Sequence, residues 1–272
     1  MDPMPARSSA PVEQTDGAHA PRPQLEQKKK IDWAYQVQQY GAALLVAIAA
    51  FAALSIYLMY RRGYYNLYIA NKVFAGVSVV LLGVLLLLGP VSRYFDAFDK
   101  YLQYRKELGV VAMFLAVVHA AISYFFLPTY FPREWFIKSV WPFLFGLAAT
   151  IILVALFVIS REAVKQALGV KRWWRMQYWG VRIAFALIAL HVGILKMPSW
   201  ISWYQKGGGK ELVHPEWPGA GLLVGWFIAF VIIVRLAELG GKKFGTAVWY
   251  LSVISLPAAY LLTFLWGQRF IK

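Results

Sequence analysis

The chain has 272 residues, 60% of them hydrophobic and 17% aromatic, with 28 Lys and Arg against 13 Asp and Glu and no cysteine. Several apolar runs of about 20 residues put it in the membrane class, and the basic surplus flanks those runs, where it orients a membrane protein rather than binding nucleic acid. Without a thiol there is no disulfide, thiolate metal site, iron-sulfur ligand or covalently attached c-type heme.

Residues 1–30 are rich in Pro, Ala, Gln and charge and hold too few large apolar side chains to offset the entropy of ordering. They read as a disordered cytoplasmic tail, in which His19 has no role. The stretch lacks the apolar core and cleavage site of a secretory signal, so no processing is expected. Apolar runs follow at 41–60, 72–90, 108–127, 140–160, 178–196, 219–237 and 245–267, each long enough to cross about 30 Å as a helix. The expected fold is therefore an all-α polytopic transmembrane bundle of six to seven spans. Residues 31–237 form its main body and 238–272 add a C-terminal helix. The link ELGGKKFG between the last two runs leaves a six-span form with a re-entrant ending as the alternative. The longest loop, 197–218, shows no helix or strand period and no large soluble domain fits anywhere. No glycine-rich nucleotide fingerprint occurs, so NAD(P)H has no domain of its own here.

Basic residues set the orientation. Fifteen lie on the amino-terminal side, among them Lys28, Arg93, Arg105, Arg161, Arg175 and Arg235, against ten on the other, among them Arg61, Lys72, Arg133 and Lys196. The asymmetry puts the amino terminus and the 91–107 and 161–177 loops in the cytoplasm.

Of four histidines, only His119 and His191 fall inside expected spans, on helices that run in the same direction. From Arg105 to His119 is 14 residues, about 21 Å of helix, and from Arg175 to His191 is 16, about 24 Å. Two imidazoles at one level in the outer half of the bilayer suit a metal held between them. A b-type heme asks the protein for only two axial imidazoles, whereas a bare zinc or copper ion wants further ligands, and no Asp or Glu lies within a turn of either histidine. The face of His119 carries Ala112, Ala116 and Ser123, small enough to admit a flat macrocycle. That of His191 carries Ala184, Leu187, Ile188 and Ile194 and is bulkier. The other reading of both is a helix-packing hydrogen bond. His214, in the loop HPEWP, reads as a solvated surface residue.

The segment LLLGPVSRYFDAFDKYLQYRKELGVVAMFLAVVHAAISYFF, residues 86–126, resembles the ferric-reductase-like transmembrane domain, and within it the bacterial heme-binding membrane subunits of the periplasmic methionine-sulfoxide reductase system. The resemblance rests on Gly89, Pro90 and Arg93, on Arg105, Leu108 and Gly109, and on His119 and Tyr124. A second matching segment is KRWWRMQYWGVRIAFALIALHVGILK, residues 171–196. The departure is Gln177, 14 residues before His191, where that family places another histidine. Arg105 holds the equivalent position before His119, so one outer-side heme b is expected, not two.

The resemblance implies a membrane b-type cytochrome of the bacterial inner membrane, surrounded by lipid, that relays electrons to an extracytoplasmic acceptor or a periplasmic redox partner. Because a single outer heme leaves a long cytoplasmic gap, it also implies a quinol or flavin donor, for which Trp173, Trp174, Tyr178 and Trp179 around Gln177 are candidates. Lys196 and Arg133 are the candidate partners of the heme propionates. The alternative is a heme-free structural subunit or a small transporter. Transport is disfavoured by the lack of inverted repeats and of acidic residues inside the spans.

Overall fold

The computed structural model describes residues 33–271; the tail expected over residues 1–30 lies outside them. The described chain is all-α. It runs through α1 (Trp33–Arg62), α2 (Leu67–Tyr94), α3 (Arg105–Ala121), α4 (Arg133–Lys138), α5 (Val140–Ile159), α6 (Glu162–Leu168), α7 (Val170–Lys206), α8 (Ala220–Ala237) and α9 (Lys242–Gly267). A 3-10 segment, Asp96–Tyr104, leads into α3, and a π-helical turn, Ile122–Phe126, prolongs it. Seven segments are long and apolar enough to cross a membrane. The link before α9 therefore separates two full-length apolar helices, and the re-entrant alternative drops out. Below, the face at which α1 begins is called proximal and the face at which it ends distal.

Local chemistry fixes the first reversal. At Gly63 the backbone takes φ +75° and its N–H closes on the Met59 carbonyl at 2.8 Å, a left-handed stop that glycine adopts without steric cost. Three residues later the Asn66 side chain accepts from the Ile69 N–H at 3.0 Å and caps α2. That cap sets the phase of α2, the central helix of the bundle. Ile69, Val73, Val77, Leu81, Leu82 and Leu86 are buried along it, and α3, α7 and α8 pack against it. By contrast α9 turns Leu251, Ile254, Leu261 and Leu262 outward, as a helix facing lipid does.

Near the proximal end of α2, Pro90 has no N–H to give the Leu86 carbonyl one turn earlier. The Arg235 guanidinium of α8 supplies a donor instead, at 3.4 Å. Glu238 holds that guanidinium at 2.7 Å and also pairs with Arg93 at 3.3 Å. A proline-broken helix bond is thus repaired from a neighbouring helix, as the water-free interior requires.

The structure differs from expectation over residues 197–218. Helix α7 runs on through Pro198 to Lys206, 37 residues or about 55 Å, so the irregular loop begins only at Gly207. Pro198 forfeits one helix bond, and packing beyond it carries the helix forward. Trp203 is buried and donates to the Pro215 carbonyl at 3.3 Å, while Trp266 of α9 donates to the Tyr204 carbonyl at 2.9 Å. The remaining loop is clamped to the end of α1 by Arg61, which donates to the Trp217 carbonyl at 2.9 Å, and by Tyr57, which donates to the Pro218 carbonyl at 2.5 Å. His214, expected as a solvated residue, is half-buried. Its ring stacks on Trp217 at 4.7 Å and its Nδ1 lies 2.9 Å from Glu216 Oε1, so the loop uses it for packing.

Arg235→Ala leaves both the Leu86 carbonyl and Glu238 short of a partner, and is expected to destabilise the bundle by about 3 kcal/mol. Thermal unfolding in detergent reads this out. Pro90→Ala, which restores an N–H beneath Leu86, recovers part of the loss.

Candidate functional site

Among the described residues a cavity opens towards each face of the bundle. The distal one, about 740 Å³, is lined by both membrane histidines. Four helices set their positions. His119, on α3, presents Nδ1 to two oxygens of Asn71 on α2, the side-chain Oδ1 at 3.0 Å and the main-chain carbonyl at 3.2 Å. His191, on α7, presents Nδ1 to the Pro142 carbonyl on α5 at 2.7 Å. A main-chain carbonyl only accepts, so in both rings Nδ1 carries the proton and donates. That leaves Nε2, with its lone pair, as the nitrogen able to bind a metal, the arrangement in which an outer partner orients a ligating imidazole.

Gly146, one turn beyond Pro142, makes the close approach of His191 feasible. A Cβ at that position would stand 2.8 Å from Nδ1 and 3.1 Å from Cε1 of the ring. Other walls of the cavity are small, including Gly76, Ala116, Ala120, Ala149 and Ser123. Two of the three small residues expected on the His119 face, Ala116 and Ser123, line the cavity. The third, Ala112, is fully buried against α2, where its carbonyl accepts from Ser78 Oγ at 2.8 Å. On the His191 side Ile188 lines the cavity, whereas Ile194 is exposed on the outside of the bundle.

The distal mouth is cationic. Arg61, Arg62, Lys72 and Lys196 line it, with Glu211 as the acidic residue among them. Lys72 sits 3.8 Å from the centre of the Tyr68 ring, which stacks in turn on Tyr130 at 4.1 Å. Of the two cations expected near the histidines, Lys196 lines the cavity. Arg133 is exposed at the start of α4 and does not line it. Among the described residues no group of three or more His, Cys, Asp or Glu side chains could hold a bare metal ion.

The proximal cavity, about 340 Å³, is walled by Trp173, Trp174, Tyr178, Gln177, Arg105 and Arg182 among others, and none of the described carboxylates lines it. Gln177 donates through Nε2 to the Leu156 carbonyl at 2.9 Å, and the Arg182 guanidinium lies 3.3 Å over the Tyr178 ring. Trp179, grouped with these by sequence, is exposed and does not line the cavity. Gln177 and Arg105, which stand where a second pair of heme-binding histidines would be expected, converge on one chamber. Neither is a good iron ligand. Leu153, buried on α5, lines both cavities and so stands between them.

Sequence reading missed Asn71, Lys72, Pro142 and Gly146. Asn71 and Lys72 fall at the boundary where the apolar run of α2 begins, so they read as its hydrophilic edge. Pro142 contributes only a main-chain carbonyl, which no residue type advertises.

Residues 74–188 match the family described as a ferric reductase like transmembrane component. The match covers less than half of the chain. It contains His119 and Gln177 and stops three residues short of His191. No curated protein matches the chain. The family match suggests a membrane electron-transfer component.

Gly146→Ala is expected to displace the His191 ring and break its bond to Pro142, at about 1–3 kcal/mol. Thermal unfolding and the nitrogen resonances of labelled histidine check it. Gly193→Ala, whose added Cβ would meet nothing within 4 Å, leaves both measurements unchanged.

Proposed function

We propose that this protein is a membrane b-type cytochrome that holds one heme between His119 and His191 and passes electrons to an acceptor on the distal side. The observation that carries the reading is the pair of imidazoles lining one cavity, each with Nδ1 committed to a carbonyl oxygen and Nε2 left to bind. The residues present fit the group. The cavity volume is within the range of about 300–1,000 Å³ usual for cofactor sites, its inner walls are small or apolar, and its donor set offers two imidazoles with nothing to complete the shell of a bare ion.

When bound, the heme supplies a one-electron Fe(III)/Fe(II) couple whose potential depends on its axial ligands and their surroundings. The chain's own part is ligation, orientation and charge. His119 and His191 would hold the heme iron through their Nε2 atoms, and Lys196, Lys72, Arg61 and Arg62 at the mouth would neutralise its carboxylates. Arg133, outside the lining, is then left to contact lipid headgroups. Leu153 and its apolar neighbours keep water from joining the two cavities.

The proximal cavity is the proposed seat of the electron donor, a quinol or a flavin. Its aromatic wall suits a flat ring, and Arg105, Lys106 and Arg182 suit an anionic one. The excess of Lys and Arg on the proximal side supports a cytoplasmic proximal face in a bacterial inner membrane, so that the acceptor, a periplasmic redox partner or a metal ion, meets the distal face.

Purified protein is expected to carry one heme per chain with a Soret band and a reduced-minus-oxidised b-type spectrum. His119→Ala and His191→Ala each abolish the band, while Gln177→Ala and His214→Ala keep it. Protein purified from heme-replete cells without a Soret band would leave the heme-free structural subunit as the reading, and loss of heme in Gln177→Ala would overturn the one-heme assignment.

A further inference from the structure

We infer that Asn71 is a positioning residue for His119 and the side chain through which the electron density at His119 Nε2 is set, an inference that rests on the heme reading above. Asn71 occupies the second turn of α2, is 1% exposed, and turns its main-chain carbonyl and its side-chain amide towards α3 and the π-turn that prolongs it. Its main-chain carbonyl and Oδ1 both face His119 Nδ1. The carbonyl cannot donate, so the ring nitrogen does. That in turn fixes which way the Asn71 amide points, with Oδ1 towards the imidazole and Nδ2 away from it. Nδ2 finds its own acceptor in Ser123 Oγ at 2.8 Å, within the π-helical turn that follows His119. One amide therefore ties the imidazole, the π-turn and α2 into a closed set of three contacts, with no polar atom of the amide left unmet in the membrane interior.

The two membrane histidines differ in this respect. His191 answers to a main-chain oxygen, Pro142, whose position is dictated by helix geometry. His119 answers in addition to a side chain. An acceptor on Nδ1 draws that proton outward and raises the basicity of Nε2, which favours the ferric over the ferrous ion. The strength of the acceptor at position 71 therefore moves the reduction potential in a predictable direction. A residue that merely packed α2 on α3 would alter stability and leave the potential where it was.

The test measures heme content, midpoint potential and the axial-ligand spectrum of the full-length protein in detergent, for wild type, Asn71→Leu and Asn71→Asp. Asn71→Leu removes the side-chain acceptor; the potential is expected to rise and heme affinity to fall by about 10–100-fold, the usual consequence of losing such a partner. Asn71→Asp substitutes a stronger acceptor of the same shape, and the potential is expected to fall below that of wild type. Opposite signs in the two variants support the inference. Equal potentials, or shifts of the same sign, overturn it. Should Asn71→Leu fail to fold, Asn71→Asp alone decides, since an unchanged or raised potential contradicts the inference. Wild-type protein that binds no heme would instead sink the underlying reading, a result visible before any variant is compared.

Discussion

An imidazole in the hydrocarbon core of a bilayer must find an acceptor for its N–H within the protein, because no water is there to provide one. This constraint organises the bundle. His119 meets it across the α2–α3 contact and His191 across the α5–α7 contact, and among the described helices these are the two most extensively packed pairs. The same bonds that relieve the polar cost of each ring dictate its tautomer. Satisfying one nitrogen thereby prepares the other, and a stability requirement becomes a chemical one.

How much of this could be read beforehand depends on where the information resides. Seven spans follow from run length and hydropathy, since crossing a membrane is a local demand on about 20 consecutive residues. The pairing of His119 with His191 followed from counting helical rise from flanking arginines, because polar residues inside apolar runs are rare. Their partners were not legible. Pro142 acts through a carbonyl that every residue owns, and Asn71 stands at the margin of its run, where a polar residue is ordinary. The end of α7 is hidden from the sequence for a related reason. Pro198 and a mixed aromatic sequence argue for a loop locally, and only Trp203 and Tyr204 packing against the distal loop and α9 keeps the helix going. Of the two outer-side cations expected to pair with propionates, Lys196 lies on α7 itself and lines the cavity, whereas Arg133 belongs to a separate short helix and is exposed.

Charge is distributed unevenly in both cavities. Among the described residues, the distal one gathers Arg61, Arg62, Lys72 and Lys196 around a single lining carboxylate, and the proximal one sets Arg105, Lys106 and Arg182 in a lining without any. Cations so placed, partly out of water, are costly unless an anion meets them. Elsewhere in the bundle the chain supplies that anion itself, as Glu238 does for Arg93 and Arg235. Glu238 also acts on Arg105 of the proximal lining, and Glu211 and Glu216 act on Arg61 of the distal one, so each cavity keeps more cations than the carboxylates beside it.

Helix α7 contributes Gln177 and Arg182 to one cavity and His191 and Lys196 to the other, along one unbroken run of 37 residues. The two chambers thus share a stiff rod as a common wall. A slip or rotation of that rod moves the walls of both chambers together.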